Sequence, residues 1–147
     1  MHRVTILLLV LALDACSGAK TVQHLEGVKW GNSAQPCSVN YATFNGGFIA
    51  VHPFGQTLPM YKIVKITPSW SSPDEVAVRI EPSAEMEKAL PDAERAQVIN
   101  FYEQGFELNL RVEEKRVQIA SVTVAGDKRP VKGTFTMFNM FDCDRPS

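Results

Sequence analysis

The 147-residue chain carries almost no excess charge of either sign. Lys and Arg together number 15 and Asp and Glu 16, which gives a formal net charge of −1. Proteins that bind the phosphate backbone of nucleic acids usually present a surplus of basic side chains. The balance therefore argues against a nucleic-acid partner.

The chain is also poor in the residues that commonly build catalytic and metal sites. Of its three histidines, His24 and His52 follow the N-terminal apolar segment, and neither stands at a spacing typical of metal ligands. No glycine-flanked nucleophile and no phosphate-binding glycine loop is present. We therefore predict no metal, no cofactor and no catalytic residue, and a protein that acts by binding rather than as an enzyme.

Two groups of residues could in principle act in catalysis and are weighed against this prediction. His52 is followed by Pro53 at a predicted strand end, where a general base could stand, but a loop histidine is the simpler interpretation. Asp142 and Asp144 flank a cysteine and could supply an acid and a base. Nothing in the sequence fixes two carboxylates at a useful separation, so both groups are interpreted as ordinary surface residues.

Long apolar runs are limited to one stretch, residues 4–13. As a helix this stretch would be about 15 Å long, roughly half of a hydrocarbon core, and so a poor permanent membrane span. A short basic start precedes it, and small residues follow at Ala15, Ser17 and Ala19. This layout is typical of a secretory signal peptide.

The order Leu13, Asp14, Ala15, Cys16 resembles the lipobox of bacterial lipoproteins. The resemblance covers the export signal and not the fold, and Asp14 departs from it because that position usually carries a small uncharged residue. It implies cleavage before Cys16 and acylation of Cys16, with three acyl chains that hold the protein on a membrane of the cell envelope. Ser17 is not the aspartate associated with inner-membrane retention, so the resemblance implies an outer-membrane lipoprotein that faces the periplasm.

Ordinary signal cleavage is the alternative, and it would yield a soluble periplasmic or secreted protein. Ser17 and Ala19 supply the small residues for cleavage before Lys20, and Leu13 with Ala15 forms a weaker pair. The lipoprotein interpretation divides the chain into a signal peptide at 1–15, a lipidated N-terminus and tether at 16–36, and a single α+β domain at 37–147.

Cys37 and Cys143 remain after the signal is processed, one near each end of the mature domain. Exported proteins meet oxidising conditions, so we predict a disulfide between them. In the chain-entropy model a loop of this length stabilises a fold by about 4 kcal/mol.

Alternating apolar and polar residues predict that most of the domain is antiparallel sheet. Seven strands are expected, with a broken helix between strands four and five that Ser83 caps and Pro91 interrupts. In the sixth strand the inward phase slips near Ala120 and Ser121, which predicts a β-bulge. We predict an α+β fold, a curved antiparallel sheet or partly closed barrel packed against the helix.

Trp70 is the strongest candidate for a binding residue, because it lies in a proline-bounded serine turn and exposed loop aromatics are typical binding anchors. The alternative is a tryptophan that folds back over the sheet edge. Phe44 and Phe54 are predicted to share its end of the sheet. We predict a non-catalytic lipoprotein that binds another envelope protein in an accessory, assembly or inhibitor role. The alternative is a carrier or sensor that holds a small apolar ligand in the concave face of the sheet.

Overall fold

The computed structural model describes residues 18–32, 36–69, 72–89, 92, 105–125 and 139–145. The predicted signal peptide, Cys16 and Trp70 lie outside these ranges. So do Pro91 and all but Asp92 of the predicted second helical segment.

Two helices, eight strands and one 3₁₀ turn make up the described part of the chain. Helix α1 covers residues 18–27, and helix α2 is Ala84–Ala89. The 3₁₀ turn is Pro53–Gly55. The strands are β1 Trp30–Asn32, β2 Ala42–Asn45, β3 Phe48–Val51, β4 Leu58–Pro68, β5 Glu75–Pro82, β6 Phe106–Val112, β7 Arg116–Val124 and β8 Met140–Asp142.

The eight strands form a closed antiparallel barrel in which each strand pairs with its neighbours in sequence. Closure comes from β1 and β8, where Gly31 lies opposite Phe141. The predicted antiparallel sheet is confirmed, but it is fully closed and has eight strands instead of about seven. The added strand is β1, whose three residues are too few to show an alternating pattern.

Alternation along the long strands builds the core, as the sequence predicts. Val76, Val78 and Ile80 of β5 are buried, and so are the apolar residues of β6 that face the same interior. The predicted bulge is also confirmed, because Asn109 pairs with Ser121 whereas Leu110 pairs with Ile119. The residue skipped between the two pairs resets the inward phase of β7.

Helix α2 lies between β5 and β6, the fourth and fifth strands of the prediction. Ser83 caps it, since its Oγ accepts a hydrogen bond from the Met86 amide at 3.0 Å and donates one to the Pro59 carbonyl at 2.6 Å. The second bond ties the start of α2 to the start of β4. The predicted capping role of Ser83 is therefore confirmed.

Connections of an up-and-down barrel alternate between its two ends. The β2–β3, β4–β5 and β6–β7 connections lie at one end, which we call the α1 end because α1 packs there. The β3–β4 and β5–β6 connections lie at the other, the α2 end. Strand β4 has 11 residues, which at about 3.3 Å per residue and a tilt near 40° separates the two ends by roughly 25–30 Å.

Helix α1 is part of the folded unit, which differs from the tether expected for residues 16–36. Leu25 is fully buried, and its carbonyl accepts a 2.9 Å hydrogen bond from Nε1 of Trp30. The Thr21 hydroxyl donates to the Pro73 carbonyl at 2.7 Å, and a ring nitrogen of His24 lies 3.0 Å from the Glu114 carbonyl oxygen. The glycine and polar residues of this segment suggested a linker, but a few apolar side chains suffice to dock it.

Cys37 and Cys143 form the predicted disulfide, with their Cα atoms 5.9 Å apart. The bond covers the outer side of β1, where a Cβ added to Gly31 would collide with Cys37 Sγ and with the Phe141 ring. The backbone pairing between β1 and β2 is short and consists of Trp30 opposite Ala42. The disulfide therefore reinforces the place where the barrel closes.

Candidate binding surface at the β3–β4 connection

Of the predicted binding residues, Phe44 and Phe54 lie in the described part of the chain, and they do not share a surface. Phe44 faces the barrel interior from β2 and is fully buried, so its assignment to partner binding is wrong. Its neighbour Thr43 takes the outward position because side chains alternate along a strand. Phe54 lies in the β3–β4 connection at the α2 end, and Trp70 lies outside the described residues.

Phe54 is the most exposed large apolar side chain among the described residues, with 81% of its surface accessible. Its backbone is left-handed, with φ 50° and ψ 35°, a conformation that aromatic residues rarely adopt. Such strain costs on the order of 1 kcal/mol and persists only where surrounding contacts impose it. It commonly marks functional positions.

Backbone hydrogen bonds impose the conformation of this turn. The Phe54 amide donates to the Val39 carbonyl at 2.8 Å, and the Gln56 amide donates to the Pro53 carbonyl at 3.0 Å. Pro53 has a fixed φ and Gly55 adopts a φ of 78°, which suits a residue without Cβ. The Phe54 ring is thus presented to solvent from an ordered turn.

The His52 ring supports the turn from the outer face of the barrel. It stacks on Tyr41 with ring centroids 4.4 Å apart. Its Nε2 lies 2.9 Å from the Thr43 hydroxyl and its Nδ1 lies 3.3 Å from the Thr57 hydroxyl. His52 therefore bridges β2 to the residue that precedes β4, and both ring nitrogens are engaged within the protein.

Burial lowers the pKa of His52 below its usual value of 6.5, and the positive charge of Lys29 lowers it further. Lys29 Nζ lies 5.3 Å from the centroid of the Tyr41 ring on which His52 stacks. The imidazole is therefore favoured in its neutral form. Both nitrogens of the ring lie within hydrogen-bonding distance of protein hydroxyls, which suits a role in positioning the turn.

Leu58 extends the apolar surface beside the turn, with 44% of its side chain exposed at the start of β4. The Pro53-Phe54-Gly55 sequence was a usable signal for an exposed aromatic turn. The support from Tyr41 and Thr43 was not anticipated, because the partners of His52 depend on how β2 aligns with β3.

Asp142 is buried, so its interpretation as an ordinary surface residue is wrong. Its carboxylate accepts a 2.9 Å bond from the Asp144 amide and lies 2.8 Å from Arg145 Nε. Arg145 also reaches Glu114 at 3.1 Å. These bonds fasten the segment after β8 to the β6–β7 connection.

Within the described ranges, no cluster of three His, Cys, Asp or Glu side chains is arranged to hold a metal ion. No helix in that part of the chain combines the length and apolar character needed to cross a membrane.

Comparison of the chain with protein-family models, with curated proteins and with solved structures found no significant match.

Proposed function

We propose that this protein is a lipoprotein of the bacterial cell envelope that binds another envelope protein through the Phe54 turn. The observation that carries the proposal is a large aromatic side chain, 81% exposed, held on an ordered and strained turn. Burial of such a ring against a partner contributes on the order of 2 kcal/mol to binding. A preorganised turn also reduces the entropy that binding must overcome.

The packing of α1 supports processing before Cys16 over cleavage before Lys20. Gly18 is buried, and a Cβ at this position would come within 2.6 Å of Pro68 Cβ. Cleavage after Ala19 would remove Gly18 from this contact and shorten α1. Cleavage at the lipobox-like sequence leaves the helix intact and places a modified cysteine two residues before it.

The carrier alternative has less support. Eight strands enclose an interior that side chains can fill, and several large side chains occupy this one. Trp30, Phe44 and Leu110 are fully buried there and belong to a single apolar cluster. Binding through the outer surface would instead use the exposed Phe54 ring and its ordered turn.

Mass spectrometry of the N-terminus tests the lipoprotein part of the proposal. Protein purified from membranes with a mild detergent should begin at Cys16 and carry the mass of three acyl chains. A Cys16→Ala variant should retain its signal peptide, because the acceptor thiol for the lipid is lost. An unmodified chain beginning at Lys20 would refute the lipoprotein assignment.

Site-specific photocrosslinking tests the partner surface. A photoreactive phenylalanine analogue at position 54, in cells that produce the native chain, should give one discrete crosslinked product after irradiation. The same analogue at Phe48, an exposed aromatic on β3 that pairs with Lys62 midway along β4, is the matched control and should not give that product. Equal crosslinking from both positions would show that the Phe54 turn is not the binding surface.

A further inference from the structure

The α1 end of the barrel lies very close to the predicted lipid attachment site. Gly18 packs on Pro68, so the start of the described helix is fixed to the end of β4. Cys16 precedes Gly18 by two residues, and two residues span at most about 7 Å. A lipid on Cys16 therefore holds Pro68 within roughly 10–15 Å of the lipidated residue.

The neighbouring connections are fixed to the same helix. Thr21 is hydrogen-bonded to the Pro73 carbonyl, which brings the β4–β5 connection against α1. His24 contacts the Glu114 carbonyl in the β6–β7 connection. The helix and both connections therefore move with the barrel as one surface, and this surface cannot rotate far from the anchor.

From this geometry we propose that the α1 end is a membrane-contacting surface that rests on the lipid headgroups. The proposal rests on lipidation of Cys16. The occupant is a bilayer, because the chain between anchor and barrel is too short to admit a globular partner between them. The exposed charged residues at this end include Lys20 and Lys115 against Asp74, Glu113 and Glu114. These residues carry no basic excess that would attract anionic lipid, so the contact depends on the anchor.

Two fluorescent labels at opposite ends of the barrel test this orientation. Ser72→Cys places a thiol in the β4–β5 connection, and Gln56→Cys places one in the β3–β4 connection, roughly 25–30 Å away along the barrel. The lipidated protein is reconstituted into vesicles of phosphatidylethanolamine and phosphatidylglycerol that contain a headgroup nitroxide quencher. The label at Ser72 should lose most of its emission, and the label at Gln56 should retain most of it.

The outcomes separate this inference from the proposed function. A lipidated protein whose two labels are quenched equally, or whose Gln56 label is quenched more, would overturn the orientation alone. An unmodified Cys16 in the same preparation would overturn both. Selective quenching at Ser72 supports the membrane-contacting surface.

A longer link provides the matched control. A flexible Gly and Ser insertion of about twelve residues between Ser17 and Gly18 adds roughly 20 Å of reach without altering α1 or its contacts. The Ser72 label should then regain most of its emission while the protein stays on the vesicles. Undiminished quenching in this variant would show that the short link does not hold the α1 end on the bilayer.

Discussion

At the scale of single residues, the His52 ring has the largest influence on the candidate binding surface. Its two nitrogens bind hydroxyls on separate segments, Thr43 on β2 and Thr57 before β4. Between those segments lies the turn that presents Phe54. The protonation state of one imidazole is therefore coupled to the stability of the turn.

This coupling predicts a pH dependence of folding. Because the pKa of His52 is lowered from 6.5 in the folded state, the unfolded chain takes up the proton first as the pH falls. The free energy of unfolding should be unaffected by this group well above pH 6.5. It should decline as the pH falls through 6.5 and level off below the folded-state pKa.

Urea denaturation of the wild type and of His52→Gln across this pH range measures the effect. The contribution of His52 should disappear in the variant, so the difference between the two stability curves should change through the window. His24→Gln is the control, since it leaves Thr43 and Thr57 in place and should retain the His52 contribution. Parallel curves for the wild type and His52→Gln would contradict the prediction.

The burial of individual side chains was predictable where apolar and polar residues alternate clearly along a strand, and not elsewhere. Val76 and Leu108 were predicted to alternate with polar neighbours, and both are buried. Phe44 was assigned to the surface because it stands beside a turn. In β2, however, Ala42 and Phe44 are the residues whose side chains face the barrel interior. The exposure of Phe54 depends on a hydrogen bond to Val39, which no local pattern could indicate.

At the scale of elements, α1 is the longest described element that sequence patterns did not reveal. It has few apolar residues and lies among glycines and polar side chains, so its periodicity is weak. It is held by tertiary contacts, chiefly burial of Leu25 and the bond from Trp30. The strongly alternating β5, β6 and β7 were predictable because one face of each is buried along its length.

Leu25→Ala should therefore detach α1 from the barrel. Loss of a fully buried leucine typically lowers the free energy of unfolding by about 2–5 kcal/mol. Chemical denaturation gives the magnitude, and hydrogen exchange should show faster exchange of the 18–27 amides. Gln23→Ala changes an exposed residue of the same helix and should leave the free energy of unfolding and the amide exchange nearly unchanged. Similar effects of the two substitutions would show that α1 does not depend on the burial of Leu25.

At the scale of the whole molecule, stability of the barrel depends on where it closes. The long strands β4 to β7 pair extensively, whereas β7 meets β8 at Arg116 and Val117 and β1 meets β2 at Trp30. The disulfide bridges this region across 106 residues of sequence. It joins the segments that follow β1 and β8, two strands that have few paired positions among the residues that the structure describes.

Replacing Cys37 and Cys143 together by alanine should lower the free energy of unfolding by about 2–5 kcal/mol, since the loop is long. Denaturation of the variant and of the reduced wild type should agree. Hydrogen exchange should accelerate first at β1 and β8 and last at β5 and β6. Unchanged stability, or loss of protection spread evenly over all strands, would contradict a local role at the closure.

The order of pairing in the barrel also has a consequence for how the chain folds. From β2 to β7 each strand finds its partner a few residues away or across one connection, so these contacts can form early and at low cost in loop entropy. Pairing of β1 with β8 joins residues more than a hundred positions apart. An open, curved sheet should therefore exist before the barrel does, with its two edges exposed until they meet.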